Sequence, residues 1–289
     1  MADLKAPRGQ ILLLGAGRMG GALLKGWLET PDLSGSHVFT VVDPAPAPWI
    51  AERAAAGDLV LMDALADRPS SAPDPALVLL AVKPQAMAEA AAPLAPLAVR
   101  GVPMVSIAAG LSTASLRAVL GAGAPVIRVM PNTPMAIGRG VSVAVADDAV
   151  SSQARDLCSA LMAAGGPVFW IEDESAMDAV TAVSGSGPAY VFHLAECLAE
   201  AGIAAGLEPD LARSLARLTV AGSGALLWPD EADPAALREA VTSPGGTTAA
   251  ALSVLQAAVG KDAGALQDLM ARAVAAAAAR ARALDGGAA

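Results

Sequence analysis

The chain has 289 residues, which is enough for two domains with sizeable hydrophobic cores. Hydrophobic residues make up 55% of the sequence but aromatic residues only 3%, because alanine supplies much of the apolar excess. No stretch of about 18 apolar residues is free of charge, proline and glycine, so we expect no membrane-spanning helix. The formal net charge of −9 also disfavours nucleic-acid binding, because neutralising phosphates requires clustered Lys and Arg.

The start of the sequence and its two cysteines favour a cytoplasmic protein. Residues 1–9 lack the apolar core of a secretion signal. Cys158 and Cys197 lie in apolar helical patterns, outside any Cys-x-x-Cys or Cys/His cluster. We therefore expect two buried thiols in a reducing compartment, and neither a disulfide nor a metal site.

Short apolar strands alternate with helices in the first part of the chain. Strands are expected at 10–14, 38–43, 76–82, 102–106, 126–130, 141–146 and 168–171, and helices at 17–29, 46–56, from about 85, and at 152–164. Nearly continuous apolar strands are typical of a parallel sheet with helices on both faces. We therefore predict an α/β domain over residues 1–171.

The strand signals stop at about residue 172, and glycine, proline and aspartate separate a series of helical patterns. Helices are expected at 175–183, 188–205, 209–227, 234–241, 247–257 and 262–284. We assign residues 172–289 to an all-α domain. Because these helices must bury their apolar faces, we expect them to pack against the helices of a second subunit.

The first strand leads into a glycine-rich turn that opens a helix. The residues are Gly15, Ala16, Gly17, Arg18, Met19 and Gly20, in the pattern G-x-G-x-x-G. The first glycine permits the tight turn, the second lets the backbone approach a pyrophosphate, and the third allows close packing of helix and strand. This context predicts a Rossmann-type dinucleotide site; the alternative is a purely structural glycine turn.

Asp43 ends the second strand, where a carboxylate commonly accepts hydrogen bonds from the adenosine ribose. A carboxylate would repel a 2′-phosphate, so this interpretation favours NADH over NADPH. Asp43 also precedes Pro44, and a structural turn is an equally good explanation. Both interpretations remain open.

Two further strand ends carry residues suited to a cofactor, because the carboxyl ends of parallel strands face the ligand crevice. The third predicted strand ends with Ala81, Val82, Lys83 and Pro84, where Lys83 could place a cation beside phosphates. Ala108 and Ala109 lie in a small-residue turn that would let a flat ring approach the backbone. For Lys83 the alternative is a solvated surface side chain.

The segment 243–248 is the most distinctive part of the second half. It consists of Ser243, Pro244, Gly245, Gly246, Thr247 and Thr248, and precedes an apolar helix. Successive N–H groups at such a helix start can bind a carboxylate, and the hydroxyls can add directed bonds. N-capping by one threonine explains only part of this pattern.

No acid–base constellation accompanies these segments, since neither His37 nor His193 lies near a nucleophile motif. Tyr190, the sole tyrosine, is expected to be a packing residue. This favours a reaction whose substrate arrives already activated.

Six segments, in this order, resemble the motifs of pyrroline-5-carboxylate reductases, the enzymes of the last step of proline biosynthesis. They are GAGRMG at 15–20, AVKPQ at 81–85, SIAAG at 106–110, RVMPNTP at 128–134, SGSGPAY at 184–190 and SPGGTT at 243–248. The pair SGSGPAY and SPGGTT is highly specific, and the resemblance covers essentially the whole chain. It implies NAD(P)H-dependent reduction of 1-pyrroline-5-carboxylate to L-proline by a Rossmann domain followed by a helical dimerisation domain, often within a ring of dimers.

The resemblance also implies roles for individual residues. Ser243, Gly245, Gly246 and Thr247 would hold the substrate carboxylate, and Thr248 would hydrogen-bond the ring nitrogen. Glu231 matches an acidic position associated with the substrate. The cofactor would be lined by Gly15, Ala16, Gly17, Arg18, Met19, Gly20, Ala81, Val82, Lys83, Pro84, Ala108 and Ala109.

Two departures and two alternatives accompany this resemblance. The family usually prefers NADPH, yet Asp43 stands where small, polar or basic residues are usual, so NADPH or NADH stays open. The Asn that often precedes AVKP in relatives is absent from 58–81. A β-hydroxyacid dehydrogenase would need a catalytic lysine on a central helix, and the second half offers chiefly Lys261, which follows a glycine. A non-catalytic NAD(H)-binding oligomer would leave the segment 243–248 unexplained.

Overall fold

A computed structural model describes residues 9–228, 233–259 and 263–285. By Cα packing the chain forms two compact units. The sheet unit contains the residues up to Gly185 and those from Ala278 onward, and the helical unit contains Ser186–Ala277. The division after Gly185 lies later in the chain than the boundary expected at residue 171, and the end of the last helix joins the sheet unit.

An eight-stranded sheet forms the centre of the sheet unit. Its strands are β1 (Gly9–Leu14), β2 (His37–Val42), β3 (Val60–Met62), β4 (Leu77–Leu80), β5 (Met104–Ser106), β6 (Val126–Pro131), β7 (Ser142–Ala146) and β8 (Val168–Trp170). Their order is β3-β2-β1-β4-β5-β6-β7-β8. Neighbouring strands are parallel except β6 and β7, which are antiparallel. The first six strands have the order of a doubly wound dinucleotide-binding sheet, so the predicted fold class is confirmed.

Helices connect these strands. They are α1 (Arg18–Glu29), α2 (Pro31–Ser36), α3 (Pro48–Ala55), α4 (Met87–Ala91), α5 (Ala95–Val99), α6 (Thr113–Leu120), α7 (Ser152–Ala163) and α8 (Met177–Val180). A π-helical turn, Thr181–Gly185, follows α8. The sequence patterns did not predict β3, α2 or α6, because each has at most eight residues and little periodicity.

The core lies on both faces of the sheet. On β1, Ile11 and Leu13 belong to one hydrophobic cluster, whereas Leu12 and Leu14 belong to a second. All four side chains are at most 4% exposed. This two-sided burial explains why residues 11–14 of β1 and the whole of β4 are uninterrupted apolar runs.

The helical unit contains α9 (Gly187–Ala204), α10 (Pro209–Leu226), α11 (Pro234–Ala240), α12 (Thr247–Leu255) and most of α13 (Ala265–Asp285). The prediction that strands stop after residue 172 was wrong in one place. A short antiparallel pair, β9 (Ala258–Val259) and β10 (Ala263–Gly264), precedes α13. Two-residue strands are too short to produce an alternating sequence pattern. None of the described helices has the length and apolar character of a bilayer span.

Trp27 connects α1 with the sheet and with α7. Its side chain is fully buried and stacks on Phe39 with ring centroids 5.4 Å apart. Its Nε1–H donates a hydrogen bond of 2.7 Å to the backbone oxygen of Leu161. The residue therefore provides both apolar contact and the partner of a buried carbonyl.

We predict that Trp27→Phe lowers the free energy of unfolding by about 1–3 kcal/mol, because the Leu161 carbonyl loses a buried donor. Denaturant unfolding at matched protein concentration measures the change. Val99→Ala, on a side chain that is 79% exposed, is the control and should change the value by less than about 0.5 kcal/mol. An unchanged midpoint for Trp27→Phe would contradict the role of this hydrogen bond.

Candidate functional site

The glycine-rich turn between β1 and α1 begins at the carboxyl end of β1, beside the end of β4. Gly15 has φ +83° and donates from its N–H to the Val42 carbonyl at 2.9 Å. A Cβ at Gly15 would lie 3.0 Å from the Ala81 oxygen and from Val82 Cγ1. Both its backbone conformation and the nearby β4 end therefore require glycine at this position.

The other two glycines of the motif have the environments that a dinucleotide site needs. A Cβ on Gly20 would overlap the Gly15 carbonyl oxygen, so α1 packs closely against the turn. Gly17, in contrast, has no atom within 4 Å of the position of a Cβ and is exposed. Its backbone is therefore open to a ligand at the start of α1. Arg18 is exposed beside it, and Met19 is half-buried.

Asp43 stabilises this turn from the end of β2. Asp43 Oδ2 accepts a hydrogen bond of 2.7 Å from the Ala16 N–H, and Oδ1 accepts one of 2.9 Å from the Ala45 N–H. Asp43 therefore stabilises a turn, which was one of the two interpretations of this residue from the sequence. Because an ionised carboxylate offers about four acceptor positions, these two bonds leave capacity for ribose hydroxyls.

The end of β4 lies against the glycine-rich turn. The Ala81 N–H donates to the Leu14 carbonyl at 2.8 Å, and Ala81 Cβ is one of the atoms nearest to Gly20. Lys83 is exposed, and it forms no ion pair with the residues that the structure describes. Pro84 begins a short 3₁₀ turn and is half-buried. Lys83 therefore adds a positive charge near the glycine-rich turn.

The β5–α6 turn, residues 107–112, is the third segment proposed to line the cofactor crevice, after the glycine-rich turn and the end of β4. Ala108 is buried and Ala109 half-buried. The Ser106 hydroxyl accepts a hydrogen bond of 3.3 Å from the Ala108 N–H, and Gly110 has φ +71°. β5 pairs with β4, so this turn and Lys83 share one edge of the sheet.

Sequence reasoning missed one charged residue near this turn. Glu174 accepts hydrogen bonds from the backbone and hydroxyl of Thr113 and from the buried Arg128. These partners are 61 and 46 residues away along the chain, so no local pattern could reveal them.

The segment 243–248 lies in the helical unit and opens α12. Gly245 has φ +69°, and the Gly246 N–H donates to the Ser243 carbonyl at 3.0 Å. After this tight turn, Gly246 is the N-cap of α12, and Thr247 and Thr248 are its first two residues. The N–H groups of this first turn have no carbonyl within the helix to bind, which is the arrangement expected of an anion site. Ser243, Gly245 and Thr247 are exposed, whereas Gly246 and Thr248 are half-buried.

The remaining sequence expectations concern Glu231, Lys261 and the two cysteines. Glu231 and Lys261 lie outside the described residues. Cys158 is buried, as expected, and burial raises the pKa of its thiol to about 12. The expectation that Cys197 is buried was wrong: it is exposed on α9, because the apolar pattern of α9 does not face the core of its own chain.

A doubly wound sheet with a glycine-rich turn at the end of β1 defines a Rossmann-type dinucleotide-binding protein. Two family models match the chain. Residues 10–110 match "NADP oxidoreductase coenzyme F420-dependent", and residues 174–284 match "Pyrroline-5-carboxylate reductase dimerisation".

Individual relatives agree with these matches. The pyrroline-5-carboxylate reductase of Pseudomonas aeruginosa is 39% identical over 88% of this chain and 90% of its own. The pea enzyme of the same name is 36% identical over 84% of this chain and 86% of its own. A solved pyrroline-5-carboxylate reductase from Coxiella burnetii has a TM-score of 0.84 at 29% identity, covering 96% of this chain and 99% of that one. The chain belongs to the pyrroline-5-carboxylate reductase family.

The helical unit exposes large apolar side chains of the kind that oligomer interfaces cover. Large apolar side chains on α9 are exposed in the single chain, among them Val191, Phe192, Leu194 and Leu198. The matched dimerisation region, 174–284, includes this helix. The helical domain therefore forms a homo-oligomer, and exposed apolar side chains such as these are typical of an oligomer interface.

Proposed function

We propose that the chain reduces 1-pyrroline-5-carboxylate to L-proline, with NAD(P)H as the hydride donor. The observation that carries the proposal is the presence, in a chain of this family, of two separate helix starts whose exposed N–H groups suit an anion. One follows the glycine-rich turn at 15–20, and the other opens α12 at Thr247. The first suits a pyrophosphate and the second a small carboxylate.

NAD(P)H supplies a hydride to C5 of the cyclic imine, whose nitrogen gains a proton, so that the C=N bond becomes a secondary amine. A protonated imine is already a strong electrophile, and the protein needs mainly to orient it about 3–3.5 Å from the nicotinamide and to exclude water. Gly245, Gly246, Thr247 and Ser243 would hold the substrate carboxylate. Thr248 would orient the ring nitrogen and stabilise the developing amine.

The proposed cofactor residues are those of the sheet unit. Gly17 brings the backbone to the pyrophosphate, Gly15 forms the tight turn and Gly20 lets α1 pack closely against it. Ala16, Arg18 and Met19 complete this part of the cofactor site. Lys83 supplies a positive charge, and Ala81, Val82, Pro84, Ala108 and Ala109 line the crevice. Support for a nicotinamide cofactor comes from the matched NADP oxidoreductase model. A relative from Plasmodium falciparum was solved with NADP bound, at a TM-score of 0.74 and 25% identity over 96% of this chain and 99% of that one.

We further propose a homodimer built through the helical domain, a ring of such dimers and a cytoplasmic location. The exposed apolar faces of the helical domain support the dimer. Light scattering coupled to size-exclusion chromatography measures the mass in solution. A stable mass of one subunit would contradict the dimer, and a mass of two would contradict the ring.

One assay tests the main proposal. The oxidation of NADH and of NADPH is followed by nicotinamide absorbance with pyrroline-5-carboxylate as substrate, and proline is identified as the product. Oxidation of neither cofactor by a folded, oligomeric protein would overturn the proposal.

We predict that Thr248→Ala lowers kcat/KM for the imine by about 10- to 100-fold, because a hydrogen bond to the developing amine is lost. The affinity for the cofactor should remain near wild type, since Thr248 belongs to the proposed substrate site. Thr248→Ser, which keeps the hydroxyl, should retain most of the activity.

Thr242→Ala is the matched control for this prediction. The Thr242 hydroxyl donates to the Arg238 carbonyl at 2.6 Å and has no assigned role in the site. Steady-state kinetics compare the three variants. An unchanged kcat/KM for Thr248→Ala would remove Thr248 from the mechanism.

We predict that Asp43→Ser raises the ratio of kcat/KM for NADPH to that for NADH, because a carboxylate near the adenosine 2′-phosphate is removed. The affinity for both cofactors should also fall, since the Ala16 N–H loses the carboxylate that it binds in the glycine-rich turn. Asp148→Ser, at an exposed carboxylate of the β7–α7 loop, should leave the ratio unchanged. If the ratio stays constant in Asp43→Ser, Asp43 acts only as a turn residue.

A further inference from the structure

The β5–α6 turn carries Ala108 and Ala109, two of the proposed cofactor contacts, and both local and distant residues hold it. Locally, the Ser112 hydroxyl accepts a hydrogen bond from the Ser115 N–H and caps α6. Ser106 holds the near end of the turn through the Ala108 N–H. The middle and far end are also held by residues that are distant in sequence. These distant residues come from two segments, one just before the helical unit and one just after it.

Glu174, in the segment before the helical unit, binds the far end of the turn. One oxygen of its carboxylate, Oε1, accepts from the Thr113 N–H and from Arg128 Nη1, both at 2.9 Å. The other, Oε2, accepts from the Thr113 hydroxyl at 2.6 Å. Thr113 is the first residue of α6, and Arg128 is only 6% exposed. The turn is therefore tied through one carboxylate to β6.

The end of α13, in the segment after the helical unit, lies against the middle of the turn. A Cβ on Gly110 would lie 2.9 Å from Leu284 Cβ, so the two backbones approach closely at this point. Arg282, two residues before Leu284, lies 4.0 Å from Asp178. Asp178 follows Glu174 on the same segment, so the segment and the end of α13 are also linked to each other.

We propose that Glu174 and Leu284 are positioning residues that fix the β5–α6 turn for the nicotinamide cofactor. The proposal rests on the proposed function, because that function gives Ala108 and Ala109 their cofactor role. Without Glu174 the start of α6 loses two hydrogen bonds, both from Thr113, and Arg128 keeps its buried charge without this carboxylate. Small displacements of a binding surface have large effects on a reaction that depends on orientation.

The first test compares Glu174→Ala, Glu174→Gln and the control Glu172→Ala. Gln keeps an oxygen that can accept from Thr113 and Arg128, whereas Ala keeps none. Glu172 is an exposed neighbouring carboxylate with no hydrogen bond or ion pair to the described residues. Fluorescence titration gives the Kd for NADH and NADPH without the imine, and kinetics at saturating cofactor give kcat. Thermal unfolding and oligomer mass are measured on the same samples.

We expect Glu174→Ala to raise the Kd for the cofactor by about tenfold, in line with lost hydrogen bonds to a charged group. Glu174→Gln should restore the Kd to within about threefold of wild type, since the geometry of the acceptor is retained. Glu172→Ala should match wild type. An unchanged Kd in Glu174→Ala would overturn the proposal, whether or not its unfolding temperature falls, because a merely structural residue changes stability alone.

Leu284 provides a second and independent test, which also covers the case in which Glu174→Ala fails to fold. Leu284→Ala should raise the Kd for the cofactor, and Leu284→Met, which conserves volume, should restore it. Val99→Ala is again the exposed control. Equal Kd values for Leu284→Ala and wild type would overturn the role of the α13 end.

The Kd measurements separate this proposal from the proposed function. A protein that binds NAD(P)H but does not reduce the imine would contradict the proposed function. The Kd values of the variants would still test whether Glu174 and Leu284 position the turn. A wild-type protein that binds neither cofactor would contradict both.

Discussion

Strands β1 and β4 are buried on both faces, and their side chains alternate between two hydrophobic clusters. Burial of this kind fixes the register of two neighbouring parallel strands, and hence the point at which each strand ends. The glycine-rich turn and Lys83 leave the sheet at those two ends. The close contacts of Gly15 and Gly20 with Ala81 depend on this register, since a shift by one residue would move every one of these atoms.

The proposed anion sites depend on backbone groups more than on charged side chains. Its net charge of −9 gives no general attraction for a dinucleotide or a carboxylate substrate. Instead, small residues at the starts of α1 and α12 expose N–H groups, and Lys83 and Arg18 add local positive charge. Asp43 has two uses in this arrangement. Its carboxylate holds the glycine-rich turn through Ala16, and two of its acceptor positions stay open for a ligand.

Features that depend on neighbouring residues could be predicted from the sequence, and features that depend on distant ones could not. The buried strands and the G-x-G-x-x-G turn have local patterns, so the fold class could be predicted, whereas the residues of the cofactor crevice stay a prediction. Strands β9 and β10 have only two residues each, which is too few to show a period. Glu174 binds partners on two other elements, and Cys197 faces away from the core of its own chain. The sequence contains no local sign of either arrangement.

The division of the sheet unit into two stretches of chain has a consequence for folding during synthesis. Strands β1 to β8 precede the helical unit, so they can pair and bury their apolar faces while α13 is still being made. The contact of Leu284 with Gly110 can form only after the whole helical unit has left the ribosome. The helical unit is thus synthesised before the β5–α6 turn gains its contact with Leu284, and a nascent chain can form its sheet before that turn is complete.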